Sequence, residues 1–227
     1  MRERPLVSNP DKIRDAERSR VAILDAAERL FAELGYDATS LTQVGATAGV
    51  SRGTPGYFFG SKAELYQAVL DRSFAEVREA VREGRARALA SNESPETILA
   101  GAVSDYFDFL AARPNFVRLI EREALSGTRL PDGTSLSAGQ EALAAISAEL
   151  GLDDAPSGQA AQLLLSIIAL CWFPMIHART VAPAVGVRLE EPGELEQRKR
   201  HVVGLVLHGL RGTASLTTTS TGHSSHD

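Results

Sequence analysis

The sequence predicts an all-α protein of about nine helices, with a small N-terminal helix-turn-helix unit ahead of a larger helical bundle. Apolar residues recur at helical spacing along most of the 227 residues, and no alternating strand pattern of useful length occurs. Residues 40–62 also have the capping and turn residues of two short helices joined by a tight turn. Hydrophobic residues make up 44% of the chain and charged residues 23%, as in ordinary soluble globular proteins.

The first predicted helix spans about residues 19–34. Ile23 and Phe31 lie on its apolar face, and Gly35 ends it because glycine readily takes a positive φ after a helix. Ahead of this helix, residues 1–17 are polar, rich in arginine and interrupted by proline. We therefore predict that residues 1–17 form a flexible basic arm.

The helix-turn-helix residues follow directly. Ser40 and Gln43 form a capping box, in which each side chain satisfies a free N–H at the start of the second helix. Gly45 lets a neighbouring helix approach closely, and Gly49 supplies the positive φ that a sharp turn needs. The third helix is expected to begin at Ser51. This arrangement puts the third helix where a recognition helix enters a DNA major groove.

The fourth predicted helix, at about residues 61–89, opens with a second capping box made by Ser61 and Glu64. Five further helices follow, at about residues 95–112, 115–126, 137–150, 157–178 and 193–211. The chain from residue 213 onward is rich in threonine and serine, so residues 213–227 are predicted to be a disordered tail.

Three sequence blocks carry a resemblance to a known family. The pattern A-x-x-L-F-x-x-x-G-Y spans residues 27–36, T-[ST]-x-x-x-[IV]-[AG]-x-x-A-G-V-S spans residues 39–51, and G-T-x-x-x-x-F-x-S-K-x-x-L spans residues 53–65. With these blocks in this order and spacing, residues 18–70 resemble the tetracycline-repressor (TetR) family of transcriptional regulators.

The resemblance implies a helix-turn-helix DNA-binding domain at residues 18–65 and a helical effector-binding and dimerisation domain at residues 66–212. It further implies a homodimer that represses transcription from a palindromic operator in double-stranded DNA. A small, hydrophobic effector of unknown identity would release the DNA. The alternative is an activator, or a DNA-binding regulator that has no effector.

The candidate DNA-contacting residues surround the predicted turn and the start of the fourth helix. They are Thr39, Ser40, Thr42, Ser51, Arg52, Gly53, Thr54, Tyr57 and Lys62. Arg52 could donate to guanine O6 and N7 together, or could contact a phosphate without reading sequence. Lys62 could bind a phosphate or be merely solvated, and Tyr57 could face the DNA or pack inward.

The third helix departs from the family pattern. Many members carry a leucine or isoleucine and then a tyrosine after the Gly-Thr pair, whereas this chain has Pro55 and Gly56. Proline lacks an N–H and disfavours helix at the residue before it, so the helix could begin late, with Thr54 as its cap. The phosphate-binding tyrosine of the family cannot be carried over to Gly56.

Two further sets of candidates lie in the predicted bundle. The candidate effector-pocket residues are Tyr106, Phe107, Leu110, Phe116, Ile120, Cys171, Trp172, Met175 and His177. For each aromatic residue or methionine, packing in the protein core is the alternative. The candidate dimer-interface residues, on two helices that are apolar on more than one face, are Leu164, Ile168, Val202, Leu205, Val206 and Leu210. Burial in the core of a single subunit is the alternative for these.

Charge and composition exclude several classes of protein. The net charge is −5, but residues 1–62 carry 9 lysines and arginines against 8 acidic residues, which suits DNA binding through a small surface. A single cysteine and the absence of a visible signal peptide predict a cytoplasmic location, without membrane attachment. No nucleophile elbow, H-E-x-x-H motif or glycine-rich phosphate loop occurs. We therefore expect no enzymatic activity, no cofactor and no metal site.

Overall fold

Every regular element in the part of the chain that the computed structural model describes, residues 10–126, 134–152 and 157–219, is a helix. The elements are α1 Pro10–Leu34, α2 Leu41–Thr47, α3 Thr54–Phe59, α4 Lys62–Ser91, α5 Pro95–Ala112, α6 Pro114–Ser126, α7 Thr134–Leu150, α8 Gln159–Ile176, α9 Val181–Ala184 and α10 Glu194–Thr219. The all-α prediction is confirmed. The short helix α9 is additional to the helices that the sequence predicted.

Helix α1 begins at Pro10 rather than near residue 19, so residues 10–17 of the predicted flexible arm are helical. Proline is well suited to the first position of a helix, because its fixed φ is already helical and its missing N–H is not needed there. An ion pair of 3.5 Å between Arg18 and Asp15 lies on the same helix. Residues 1–9 of the predicted arm lie outside the described residues.

Helix α10 continues to Thr219, so the predicted start of a disordered tail at residue 213 is wrong for residues 213–219. Gly212 does not end the helix, since a glycine inside a helix costs only about 1 kcal/mol relative to alanine. Residues 220–227, the rest of the predicted tail, lie outside the described residues.

The chain divides into two compact units. The first comprises Met1–Phe74 and Arg118–Thr134, and the second comprises Ala75–Val117 and Ser135–Asp227. The predicted boundary after residue 65 therefore falls inside the first unit.

One continuous core explains the extent of the first unit. Leu65, Val69 and Leu70 of α4 are buried in the same core as Phe31 of α1, and Leu119 of α6 is buried there with them. Each fully buried side chain of this size contributes about 1.5–3 kcal/mol to stability. A segment from the middle of the chain thus completes the N-terminal core, which the sequence did not predict.

The second unit has a core of its own, in which α5 packs against α8 and α10. Its buried apolar residues include Leu99, Val103, Phe107, Leu110, Phe116, Ile167, Cys171, Val202 and Val206. At the edge of this core, the Lys199 ammonium donates to the Asp108 carboxylate over 2.8 Å and so links α10 to α5.

Candidate functional site

Helix α2 begins with the capping box that the sequence predicted. The Gln43 N–H donates to Ser40 Oγ over 3.2 Å, and the Ser40 N–H donates to Gln43 Oε1 over 2.9 Å. Val44 of α2 is fully buried, and Gly49 takes a φ of 71° at the turn. The start of α2 and the turn after it are therefore fixed by local residues.

Helices α2 and α3 approach each other at Gly45. A Cβ atom at this position would lie 3.1 Å from the Ser51 carbonyl oxygen and 3.4 Å from Pro55 Cγ. Real Cβ atoms rarely come that close to a neighbour, so a larger residue would push α3 away from α2. The close approach predicted for Gly45 is present.

Helix α3 starts later than the motif alone predicts. Its first helical residue is Thr54, its N-cap is Gly53, and Pro55 is buried in the first turn. Ser51 and Arg52 therefore precede the helix in an exposed turn, where the Ser51 and Thr54 hydroxyls lie 2.7 Å apart. The late start anticipated from Pro55 occurs, with Gly53 rather than Thr54 as the cap.

Three of the candidate side chains project into solvent around α3. Tyr57 is 86% exposed, so the alternative in which it packs inward is wrong. Its ring meets the half-buried Phe58 edge-on, at 5.5 Å between centroids. Thr42 and Arg52 are also exposed. An exposed tyrosine, an exposed arginine and a hydroxyl beside one short helix form a surface that can bind phosphates and base edges.

Thr39 is not part of this exposed surface. Its side chain is only 2% exposed, and its hydroxyl donates to the Gly35 carbonyl over 2.8 Å. The prediction that Thr39 contacts DNA is therefore wrong for its side chain. The hydroxyl instead holds the corner after α1, because it satisfies a carbonyl that the end of the helix leaves unpaired.

Replacing Thr39 with valine should lower the free energy of unfolding by about 1 kcal/mol, because the hydroxyl–carbonyl bond is lost while the shape is kept. Thr39→Ser keeps the hydroxyl and should lose less. Urea unfolding monitored by circular dichroism measures both variants. A valine variant with wild-type stability but weakened DNA binding would restore Thr39 as a contact residue.

The Lys62 ammonium is largely engaged within the protein. Its Nζ donates to the Tyr36 carbonyl over 2.9 Å and to the Asp37 carbonyl over 3.3 Å, and it lies 4.3 Å from the centroid of the Tyr36 ring. Two of its three N–H groups thus tie the start of α4 to the loop after α1. Only the third is left for a phosphate.

Two adjacent residues of α6, Arg122 and Glu123, form hydrogen bonds with α1 and α4 of the same unit. Arg122 donates to the Ala32 carbonyl over 2.9 Å and to the Glu33 carbonyl over 2.8 Å, at the end of α1. The Tyr66 hydroxyl on α4 donates to the buried Glu123 carboxylate. Burial, together with this carboxylate, raises the pKa of Tyr66 far above its usual value.

A separate cavity of about 80 Å³ lies within the second unit. Helices α4, α5 and α7 line it, through Val77, Ala80, Val81, Gly84, Ile98, Leu99, Ala102, Asp105, Tyr106, Phe109, Ala145, Ile146, Glu149 and Leu150. Most of these side chains are apolar. At one edge, the Arg87 guanidinium donates to the Asp105 carboxylate over 2.5 Å.

Of the predicted pocket residues, only Tyr106 lines this cavity. The others fall into two groups. Phe107, Leu110, Phe116 and Cys171 are buried in the second core, and Ile120 packs against the first core, so packing explains them. Trp172, Met175 and His177 lie outside the lining, although the Trp172 indole N–H donates to the Tyr106 hydroxyl. Because helical period alone does not tell one apolar face from another, the sequence could not locate the cavity.

The predicted dimer-interface residues differ in how far they are buried. Val202 and Val206 are buried within the subunit, so the prediction that they face a partner is wrong. Leu205 is 46% exposed, whereas Leu164, Ile168 and Leu210 are half-buried. Two apolar residues of α8 outside the predicted set, Leu165 and Phe173, are 61% and 50% exposed.

Helix α8 is, within the described ranges, the one helix whose length and composition would also suit a membrane span. Its fully buried residues are Ala160, Ile167, Cys171 and Pro174, most of its other apolar residues are half-buried, and Leu165 and Phe173 are exposed. No group of metal-binding side chains occurs among the residues that the structure describes.

Comparison with known proteins identifies the N-terminal unit. Residues 23–69 match the family model described as bacterial regulatory proteins, tetR family. The transcriptional repressor NicS of Pseudomonas putida is 26% identical over 212 residues, which are 88% of this chain and 96% of that protein. The regulator TtgR of P. putida is 44% identical over 57 residues, which are 25% of this chain and 27% of TtgR.

Solved structures match over most of the length. A putative transcriptional regulator from Streptomyces coelicolor superposes with a TM-score of 0.64 at 23% identity, covering 84% of this chain and 97% of the other. The ketosteroid transcriptional regulator KstR2 of Mycobacterium tuberculosis superposes with a TM-score of 0.60 at 19% identity, covering 85% and 94%. Residues 23–69 therefore match the tetR family of bacterial regulatory proteins, and over most of its length the chain is similar to a bacterial transcriptional repressor and has the fold of solved transcriptional regulators.

Proposed function

We propose that this protein is a ligand-responsive repressor that binds a palindromic operator as a homodimer and is released by a small hydrophobic effector. Residues 18–65 bind the DNA, and residues 66–212 carry the effector site and the dimer interface. The protein acts in the cytoplasm. Two observations carry the proposal: α8 and α10 of the second unit have exposed apolar residues, and the first unit exposes Arg52 and Tyr57 around α3.

The DNA contacts centre on α3. Arg52 donates to guanine in the major groove, and Thr54 contacts a neighbouring base or phosphate. Around them, Ser40, Thr42, Ser51, the Gly53 backbone and Tyr57 contact phosphates, which fixes the position of the head on the duplex. The remaining N–H of Lys62 adds one further phosphate contact.

A second copy of the chain covers the apolar surface. Soluble proteins rarely leave large contiguous apolar surfaces in water, and a helix as apolar as α8 requires burial on more than one face. Leu165 and Phe173 on α8 and Leu205 on α10 are the exposed apolar residues that need covering. Two copies related by a two-fold axis bring two recognition helices to successive major grooves, about 34–36 Å apart.

The effector occupies the cavity between α4, α5 and α7. Its mostly apolar lining favours a hydrophobic or aromatic molecule. Helix α4 lines this cavity with Val77 and Val81 and fills the core of the head with Leu65 and Val69. An effector that prefers a different position of α4 releases the DNA, because a ligand shifts an equilibrium only through different affinities for its two states.

The function is tested on the DNA upstream of the protein's own gene. The wild-type protein should give a discrete gel shift on this fragment, and deletion of the gene should raise transcription of the neighbouring gene. Lower transcription after deletion would indicate an activator instead. A thermal-shift screen of hydrophobic compounds should find a ligand that raises Tm and abolishes the gel shift.

Replacing Leu165 with arginine should convert the dimer to a monomer, because each interface would then bury an unpaired charge. We expect the dimer dissociation constant to rise by more than about 100-fold, since several kcal/mol are lost. Light scattering after size exclusion measures the mass. The matched control is Leu125→Arg on α6, where an equally apolar side chain is 79% exposed outside the proposed interface. A Leu165→Arg variant with wild-type mass would exclude this interface.

A further inference from the structure

Arg20 places its own positively charged guanidinium group against the end of α3. It is exposed on α1, and its guanidinium carbon lies 4.7 Å from the centroid of the Phe59 ring. Phe59 is the last residue of α3. Arg20 precedes the buried residues Ile23 and Ala27 on the same face of α1, so its stem continues the core stripe towards α3.

The positive charge of Arg20 is not paired with a carboxylate in the described part of the chain. Among residues 10–126, 134–152 and 157–219, no carboxylate forms an ion pair with it, whereas Arg18 pairs with Asp15 and Arg72 pairs with Glu28. A guanidinium stacked on an aromatic ring keeps its N–H groups at the rim, where they are free to donate. The stacking therefore orients these donors without consuming them.

The position of Arg20 relative to Arg52 indicates which groups of the DNA these N–H donors can contact. Helix α3 has six residues, so it is only about 9 Å long. Arg52 lies just before its first residue, and Arg20 lies over its last. The major groove that receives such a helix is about 12 Å wide and is flanked by phosphates on both sides. Cations at the two ends of α3 are thus within reach of the phosphate rows.

We propose that Arg20 binds a backbone phosphate at the edge of the groove that α3 enters, with the Phe59 ring holding the guanidinium in position. The inference rests on α3 being the recognition helix of the proposed function. It adds to the DNA-binding surface a residue of α1, outside residues 39–62, which hold the candidate DNA-contacting residues named from the sequence. The sequence alone did not single out Arg20 for this role, because its contact with Phe59 joins residues that are distant in the chain.

The test compares Arg20→Ala with Arg29→Ala and Arg20→Lys. Arg29 is an exposed arginine about two and a half turns further along α1, and it therefore points from the opposite face. Fluorescence anisotropy measures binding to the fragment upstream of the gene and to a random-sequence duplex of equal length, over a range of salt concentrations. Circular dichroism melting checks that each variant is folded.

Loss of one phosphate contact should weaken binding to both duplexes by the same factor. It should also reduce the slope of log K against log salt by about 1 for each bound subunit. Arg29→Ala should behave as wild type. Arg20→Lys should keep the slope because it keeps the charge, even if the loss of stacking weakens binding.

Three results would overturn the assignment. An unchanged salt slope in Arg20→Ala would exclude a phosphate contact and leave only a packing role. An equal loss in Arg29→Ala would show a general charge effect. A loss confined to the upstream fragment would assign Arg20 to a base. The wild-type protein failing to bind both duplexes would instead refute the proposed function itself.

Discussion

Replacing Arg52 with alanine should weaken operator binding by about 30-fold to about 20,000-fold. A bidentate arginine–guanine contact contributes roughly 1–3 kcal/mol of discrimination, and a dimer carries two of them. Arg52 is exposed ahead of α3, and no ion pair or hydrogen bond of its side chain occurs within the described part of the chain. Its removal should therefore leave the fold unchanged.

A random-sequence duplex distinguishes base reading from phosphate contact. If Arg52 reads a base, Arg52→Ala should lose much more affinity for the operator than for the random duplex. An equal loss on both would mean that Arg52 contacts only a phosphate. The two arginines at the ends of α3 should thus differ: Arg52 supplies specificity, and Arg20 supplies affinity for any duplex.

Replacing Phe31 with alanine should lower the free energy of unfolding of the N-terminal unit by about 3–5 kcal/mol. Phe31 is fully buried, and its ring meets Tyr66 edge-on at 4.8 Å and lies near Tyr36 at 6.0 Å. The variant loses the burial of the ring and both aromatic contacts, and it leaves a cavity beside α4. Such a loss is a large part of the stability of an ordinary domain, so DNA binding should fail with it.

Urea unfolding monitored by circular dichroism measures this effect. The control is Tyr57→Ala, which removes an exposed aromatic ring from the same unit and should change the free energy of unfolding by less than about 0.5 kcal/mol. Tyr57→Ala should nevertheless weaken DNA binding. If Phe31→Ala is as stable as Tyr57→Ala, the core assigned to the first unit is wrong.

Local signals in the sequence were sufficient for the elements around the turn. The capping boxes at Ser40 and Ser61, the close approach at Gly45 and the positive φ at Gly49 all depend on residues a few positions apart. Such short-range patterns have few alternative solutions, so they could be predicted. The late start of α3 likewise followed from the chemistry of Pro55.

Interactions between distant segments could not be predicted. The burial of Thr39 and the engagement of Lys62 with Tyr36 and Asp37 depend on how α1, α2 and α4 meet. The hydrogen bond of Arg122 to the end of α1 joins residues about ninety positions apart. A polar residue at a helix end looks the same in sequence whether it faces water or a carbonyl.

On apolar helices, it was difficult for a different reason to predict which residues are buried. Helices α8 and α10 are apolar on several sides, so periodicity did not tell Val202, which is buried in the subunit, from Leu205, which is exposed. The ends of the chain were misjudged for the opposite reason. Residues 10–17 and 213–219 are helical although they have no apolar stripe. The prediction of helices from the sequence depended on such a stripe.

The central claim is that two copies of this chain, joined through α8 and α10, present two α3 helices to one duplex. Light scattering of the protein bound to the fragment upstream of its gene tests this claim most directly, since it measures how many chains each duplex carries. We predict an even number of chains per duplex, and a dimer in the absence of DNA. A complex with one chain per duplex, formed by a monomeric protein, would contradict the account.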